Sequence, residues 1–332
     1  MRTANAALTR SSKVAWHTLP LTKKTPAHHA GGFVNAMLRT LRKLFELEPE
    51  AAAPQAGGGK LTLRDILLRG WEELWYQPKI ELRTKRLVGA EGLLRARLPD
   101  GSIVPPGDFL PGAKEEEMLA LTERVIVTAL RDFEDCAVQG ASVKLSVNVP
   151  VSALVKLPIA RMLREHRPST PNWPGLILEV TEDEILHDLK LANHVAEELR
   201  SLRCTLALDD FGAGYSSLAR LRQLPFSELK IDRSYVSNCH VDKVNGGLCE
   251  TIVKLAKRFE LMTVAEGIEN SAESDKLKAI GCDIGQGYLF AKPMPKAEFV
   301  AALSRRLVGP PKRPAKPRVA VTTLTRGALA DT

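Results

Sequence analysis

Leu176-Ile177-Leu178-Glu179-Val180-Thr181 is a short apolar run that delivers a carboxylate near its end. Its length and lack of alternation suit a strand buried on both faces, as the strands of a parallel sheet are. The same pattern recurs on either side. Leu206-Ala207-Leu208 leads to Asp209 and Asp210, Val264-Ala265 leads to Glu266, and Leu87-Val88-Gly89-Ala90 leads to Glu91. Val143-Lys-Leu-Ser-Val147 ends at Asn148, and Lys230 lies in Leu229-Lys230-Ile231-Asp232. In parallel α/β folds the C-terminal strand ends converge on one face, where the chemistry is carried.

Between these runs the periodicity changes to that of helices. The pattern predicts a helix at about 61–71, strands near 73–80 and 86–94, and a long helix over 115–135. It continues with strand 143–148, helix 151–165, strand 176–181, helix 184–202, strand 204–209 and helix 215–223. Strand 227–231, helix 243–259, strand 261–266, helix 271–280, strand 283–290 and helix 296–306 complete the series. Eight strands mostly alternating with helices point to an α/β fold, a closed (β/α)₈-type barrel rather than an open sheet. The short Arg83-Thr84-Lys85 link suits a hairpin, so the barrel is expected to begin irregularly, with an antiparallel pair.

The flanks differ in composition. Residues 1–60 are expected to be mostly disordered and basic, with an amphipathic basic helix near 33–47 and an Ala/Gly linker, Ala51 to Gly59. That helix suits docking on the chain's own domain or on a second copy, or a protein or membrane-surface partner. The Pro-rich basic segment 307–332 is expected to be a disordered tail. Of the chain's net charge of +8, residues 1–45 contribute eight Lys or Arg and no acid, and residues 304–332 seven and one acid. The barrel segment is therefore mildly acidic. Basic tails can attract nucleic acid, but no aromatics interleave them, and nucleic acid is not the expected partner. Five scattered cysteines without a CxxC pair suit free thiols in a reducing compartment, and no apolar stretch approaches the roughly 18 residues of a membrane span.

Several acids at one end of a barrel repel one another unless cations sit among them. Oxygen ligands from Asp, Glu and Asn, with no His or Cys at the strand ends, suit hard ions such as Mg²⁺ or Mn²⁺ rather than zinc. Adjacent Asp209 and Asp210 could serve two ions, a recurring device for phosphodiester cleavage. Lys230 would then face a phosphate or orient the attacking water.

The ordered segments Tyr76-Gln77-Pro78, Glu91-Gly92-Leu93-Leu94-Arg95, Ser146-Val-Asn148, Leu178-Glu179-Val-Thr-Glu182 and Asp209-Asp210-Phe-Gly-Ala-Gly214 resemble the EAL-domain family of cyclic di-GMP phosphodiesterases. So do Leu229-Lys230-Ile-Asp232, Ala265-Glu266-Gly-Ile-Glu269-Asn270 and Gln286-Gly-Tyr-Leu-Phe-Ala-Lys-Pro293. The resemblance spans residues 61–306 and implies a modified TIM barrel that hydrolyses cyclic di-GMP to linear pGpG with two Mg²⁺ or Mn²⁺ ions. It places Glu91, Asn148, Glu179 and Asp209 on one ion, makes Asp209 the bridge, and puts Asp210 and Glu266 on the second. It gives Lys230 the attacking water, with Glu91 and Glu266 also in the catalytic group. Gln77, Arg95 and Gln286 are implied substrate contacts, and Glu182 and Glu269 supports, Glu182 anchoring the loop Phe211 to Ser217. A bacterial cytoplasmic setting and a homodimer formed near the Asp-Asp loop are further expectations of the resemblance.

Three departures stand out. Gly92 replaces the signature Ala, the stretch after Arg95 (Ala96 to Gly101) is short and lacks the family's usual Trp, and Lys114 stands where the family usually has Glu. The last two fall near the substrate end. The alternative within the resemblance is a catalytically silent domain acting as a cyclic di-GMP receptor or protein-interaction module. Such members typically lose metal ligands, whereas the whole set is present here.

Overall fold

A computed structural model describes residues 60–138, 143–171, 173–181, 196–211 and 226–307. The expected helix at 33–47, the linker, most of helix 184–202, helix 215–223 and residues 308–332 lie outside them.

Ten strands are described: β1 Glu72–Glu81, β2 Leu87–Arg97, β3 Ile103–Val104, β4 Lys144–Asn148, β5 Leu176–Thr181, β6 Cys204–Phe211, β7 Phe226–Ile231, β8 Met262–Ala265, β9 Ile284–Gly285 and β10 Met294–Pro295. Eight close a ring in the order β1-β2-β4-β5-β6-β7-β8-β9, with β1 returning to β9. Strand β1 is antiparallel to both neighbours, while every pairing from β2 round to β9 is parallel. The β1–β2 hairpin is the expected irregular start. It arises because a five-residue link cannot hold a crossover helix, so the second strand must run back along the first. Strands β3 and β10 lie outside the ring, paired to β2 and β1.

Local sequence signals fix the helix ends. Thr62 and Asp65 form a capping box at the start of Leu63–Arg69, and left-handed Gly70 ends it. Asn270, Glu273 and Gly281 do the same for Ser271–Ile280. Two expectations need correction. The helix over 151–165 is two helices, Val151–Lys156 and Ile159–His166, because Pro158 removes a donor and holds Leu157 extended. The strand over 283–290 is only Ile284–Gly285, since Gly287 (φ 154°) turns the chain against Ile268. The small pieces β3, Pro106–Phe109, Arg233–Val236 and β10 carry no pattern long enough to detect.

The main apolar core lies between the ring and the helices around it. Leu176, Leu178 and Val180 of β5 belong to it, with Ile126, Ala129, Leu130 and Phe133 of the helix Glu115–Val138. Full burial of each such Leu, Ile, Val or Phe side chain is worth about 1.5–3 kcal/mol. The alternate residues Ile177, Glu179 and Thr181 are also buried but lie outside that cluster, on the barrel interior. Period two thus places Glu179 inside, and the same alternation turns Gln77 and Lys79 of β1 and Glu228 and Lys230 of β7 inward.

Candidate active site

The inward side chains meet around one ammonium. Lys230 Nζ lies 2.5 Å from Glu179 Oε2, 2.6 Å from Glu266 Oε1, 3.2 Å from Asp209 Oδ2 and 3.7 Å from Glu91 Oε1. Four carboxylates from β2, β5, β6 and the end of β8 thus converge on a lysine of β7 that is 1% exposed. Burial opposes the Lys230 charge, but Asp209, Glu179, Glu266 and Glu91 outweigh it and hold its pKa well above the ordinary lysine value. Burial likewise opposes ionisation of Glu179, and Lys230 and Lys79 overcome it, leaving its pKa well below the usual carboxylate range. Glu91 moves the other way, raised by its burial and by Glu179 despite the two lysines.

Amide side chains hold Glu91 on both oxygens. Asn148 Nδ2 donates to Oε1 at 2.8 Å and Gln286 Nε2 to Oε2 at 2.6 Å. Gln286 also donates to Gln77 Oε1 at 2.9 Å, and Gln77 is tied to the carbonyl of Ala291. The register puts Gln77 directly opposite Glu91 across the antiparallel hairpin. Gln286 is aimed by the turn that follows it, where a Cβ on Gly287 would lie 2.2 Å from the Ile268 carbonyl oxygen. Asp210 adopts φ 63°, a conformation costly for a non-glycine residue, and its N–H donates to Asp209 Oδ1 at 2.9 Å.

A pocket opens above this cluster, walled by Leu93, Arg95, Arg233, Tyr288 and Pro293. Arg95 is 3% exposed and its guanidinium lies 5.8 Å from the Trp75 ring centroid. Glu269 sits at the rim, ion-paired to Arg233, and the carboxylate of Glu273 accepts its N–H. Of the residues singled out from the sequence, Gln77, Glu91, Arg95, Asn148, Glu179, Asp209, Lys230, Glu266 and Gln286 come together. Asp210 is adjacent, Glu269 is peripheral, and Glu182 with the loop beyond Phe211 lies outside the described residues. Sequence reasoning missed Lys79, Glu228 and Arg233. Lys79 had a signal, being the one charged residue inside the apolar stretch of β1, where an unpaired lysine is rarely buried.

The acids are all oxygen donors of the kind hard divalent cations take. Among the described residues no three Asp, Glu, His or Cys side chains stand as a ready-made metal cage, because Lys230 occupies the centre the carboxylates share.

Residues 61–293 match the family model of the EAL domain. The chain belongs to the EAL-domain family. The chain is 34% identical over 234 residues to the cyclic di-GMP phosphodiesterase RocR of Pseudomonas aeruginosa, covering 69% of this chain and 59% of RocR. It is 33% identical over 245 residues to the bifunctional diguanylate cyclase/cyclic di-GMP phosphodiesterase MucR of the same organism, covering 73% of this chain and 36% of MucR. A solved MucR phosphodiesterase in complex with c-di-GMP superposes with a TM-score of 0.64 at 32% identity, covering 71% of this chain and 97% of that one. The EAL chain described here thus spans less than two thirds of the length of these two relatives. Among its described residues no helix is long and apolar enough to cross a membrane.

Proposed function

We propose that this EAL domain hydrolyses one phosphodiester bond of cyclic di-GMP to give linear pGpG, using two Mg²⁺ or Mn²⁺ ions. The observation that carries the reading is the convergence of Glu91, Glu179, Asp209 and Glu266 on Lys230 at the floor of a pocket walled by Arg95. The names of its relatives RocR and MucR supply the substrate class.

The donor set fits the ions. Glu91, Glu179, Asp209, Asp210 and Glu266 exceed the charge of Lys230 and Lys79, and the ammonium already stands among them in a cation's place. Glu91, Asn148, Glu179 and Asp209 would hold one ion, and Asp209, Asp210 and Glu266 the second. Bound there, the ions would lower the pKa of a water and neutralise charge building on the phosphate.

The chain's own groups do the rest. Lys230, kept protonated by its carboxylates, presents N–H donors that orient a water or an anionic oxygen at the pocket floor. Glu91 keeps its orientation through Asn148 and Gln286. Arg95 offers a planar cation to a substrate phosphate. Gln77 and Gln286 form an amide pair that lines the pocket. Glu269 would support the rim through Arg233, and Glu182 the loop after Asp210.

Cyclic di-GMP incubated with the purified chain and Mn²⁺ or Mg²⁺ should yield pGpG by chromatography, and EDTA should stop it. Bound but intact nucleotide with either metal would make the domain a receptor instead.

A further inference from the structure

We infer that Lys79 is a positioning residue for this site: it holds one oxygen of Glu179 from beneath and so fixes which oxygen faces the mouth. The inference rests on the metal reading above. Lys79 comes from β1, the one antiparallel strand of the ring, and is 2% exposed. Its Nζ lies 2.7 Å from Glu179 Oε1 and 3.5 Å from Glu228 Oε2. The other oxygen of Glu179, Oε2, is the one Lys230 touches at 2.5 Å. Each oxygen therefore has its own ammonium, one below and one at the mouth.

Lys79 is not among the residues that line the pocket. Glu228 precedes Lys230 by two residues on β7 and therefore points the same way one layer deeper. Lys79 and Glu228 form a second ionic layer under the first. An ammonium in this layer stays with Oε1 whatever the mouth holds, so Glu179 has one oxygen to offer and a fixed plane in which to offer it. Residues that orient metal ligands in this way typically change metal affinity by about 10–100-fold when lost.

Lys79→Met alone would leave Glu228 buried beside Glu179 without its cation, and its failure to fold would say nothing about positioning. The informative pair is Glu228→Gln against Lys79→Met/Glu228→Gln, in which the second keeps the wild-type charge balance. Mn²⁺ binding is measured by calorimetry on each full chain without nucleotide, and kcat is measured at saturating Mn²⁺. The double variant is expected to bind Mn²⁺ at least about tenfold more weakly than Glu228→Gln, with kcat largely recovered at saturation. Equal Mn²⁺ affinities, with only the melting temperature lowered, would make Lys79 structural and overturn the inference. If the double variant does not fold, Lys79→Leu/Glu228→Leu replaces both charges by apolar side chains, and a Mn²⁺ affinity there equal to that of Glu228→Gln overturns it equally. Wild-type protein that binds no Mn²⁺ would overturn the metal reading, and this inference with it.

Discussion

Each strand-end acid has a distinct surrounding, and the consequences can be tested singly. Glu91 is held by two amides, while Lys230 is the charge that four carboxylates share. Glu91→Ala and Lys230→Ala should each lower pGpG formation by at least about 100-fold, measured by chromatography, with the far-ultraviolet circular dichroism unchanged. Substantial turnover in either variant would remove that residue from the mechanism. Gly92 differs in kind. A methyl there would meet Val147 Cγ1 at 3.3 Å and Leu74 Cδ1 at 3.5 Å, beside a small apolar cavity lined by Leu94, Leu110 and Met118. Gly92→Ala should therefore stabilise the protein by about 0.4–1 kcal/mol, read as a higher urea midpoint, through packing and a less flexible unfolded chain. A lowered midpoint would show that Val147 cannot give way. The acids were legible in the sequence because they close apolar runs, and Lys230 because it interrupts one, where a charge needs a reason. Lys79 was missed although it is a lone charge inside an apolar stretch, because nothing local tells which partner across the barrel it meets.

At the scale of elements, strand and helix identities followed from period and caps, and the failures were local. Strand β9 was expected too long because Gly287-Tyr288-Leu289-Phe290 is apolar enough to continue it. Only the close approach of Gly287 to Ile268 ends it, and that is a tertiary contact. Tertiary contact also sets how β1 docks. The Tyr76 hydroxyl, buried, donates to Asp132 Oδ2 at 2.7 Å, and Lys296 pairs with Asp132 and Asp135, joining β1 to the helices Glu115–Val138 and Lys296–Leu307. Tyr76→Phe should cost about 1–3 kcal/mol in urea unfolding while leaving turnover nearly intact, because the lost bond lies outside the ring. A large loss of activity without loss of stability would mean that Asp132 communicates with Gln77.

For the whole molecule, closure of the ring was legible from eight alternating strands, and the direction of β1 from its short hairpin. The ionic layering inside was not, since it exists only once the ring has closed. Burial gives the molecule a defined alkaline weakness. Burial pushes the thiols of Cys136, Cys204 and Cys249 up to about 12 and that of Cys282 to about 11, from an ordinary 9.0. The unfolded chain releases those protons near pH 9 while the folded chain keeps them, so stability present below pH 9 falls as pH rises toward 12. Lys79 and Lys230, also raised, add stability that is complete below 10.5 and is lost above it. Urea midpoints at pH 8, 9.5 and 11 should decrease in that order, and a flat series would contradict the burial of these groups.

The central claim is that the acids around Lys230 form a metal-dependent phosphodiesterase centre. The most direct test is the rate of pGpG formation from cyclic di-GMP as Mn²⁺ is titrated, for the wild-type chain beside Glu91→Ala. The account expects a saturable Mn²⁺ dependence in the wild type and a rate at least about 100-fold lower in the variant at every concentration. No product from the wild type at any Mn²⁺ concentration, or comparable rates from the two proteins, would contradict it.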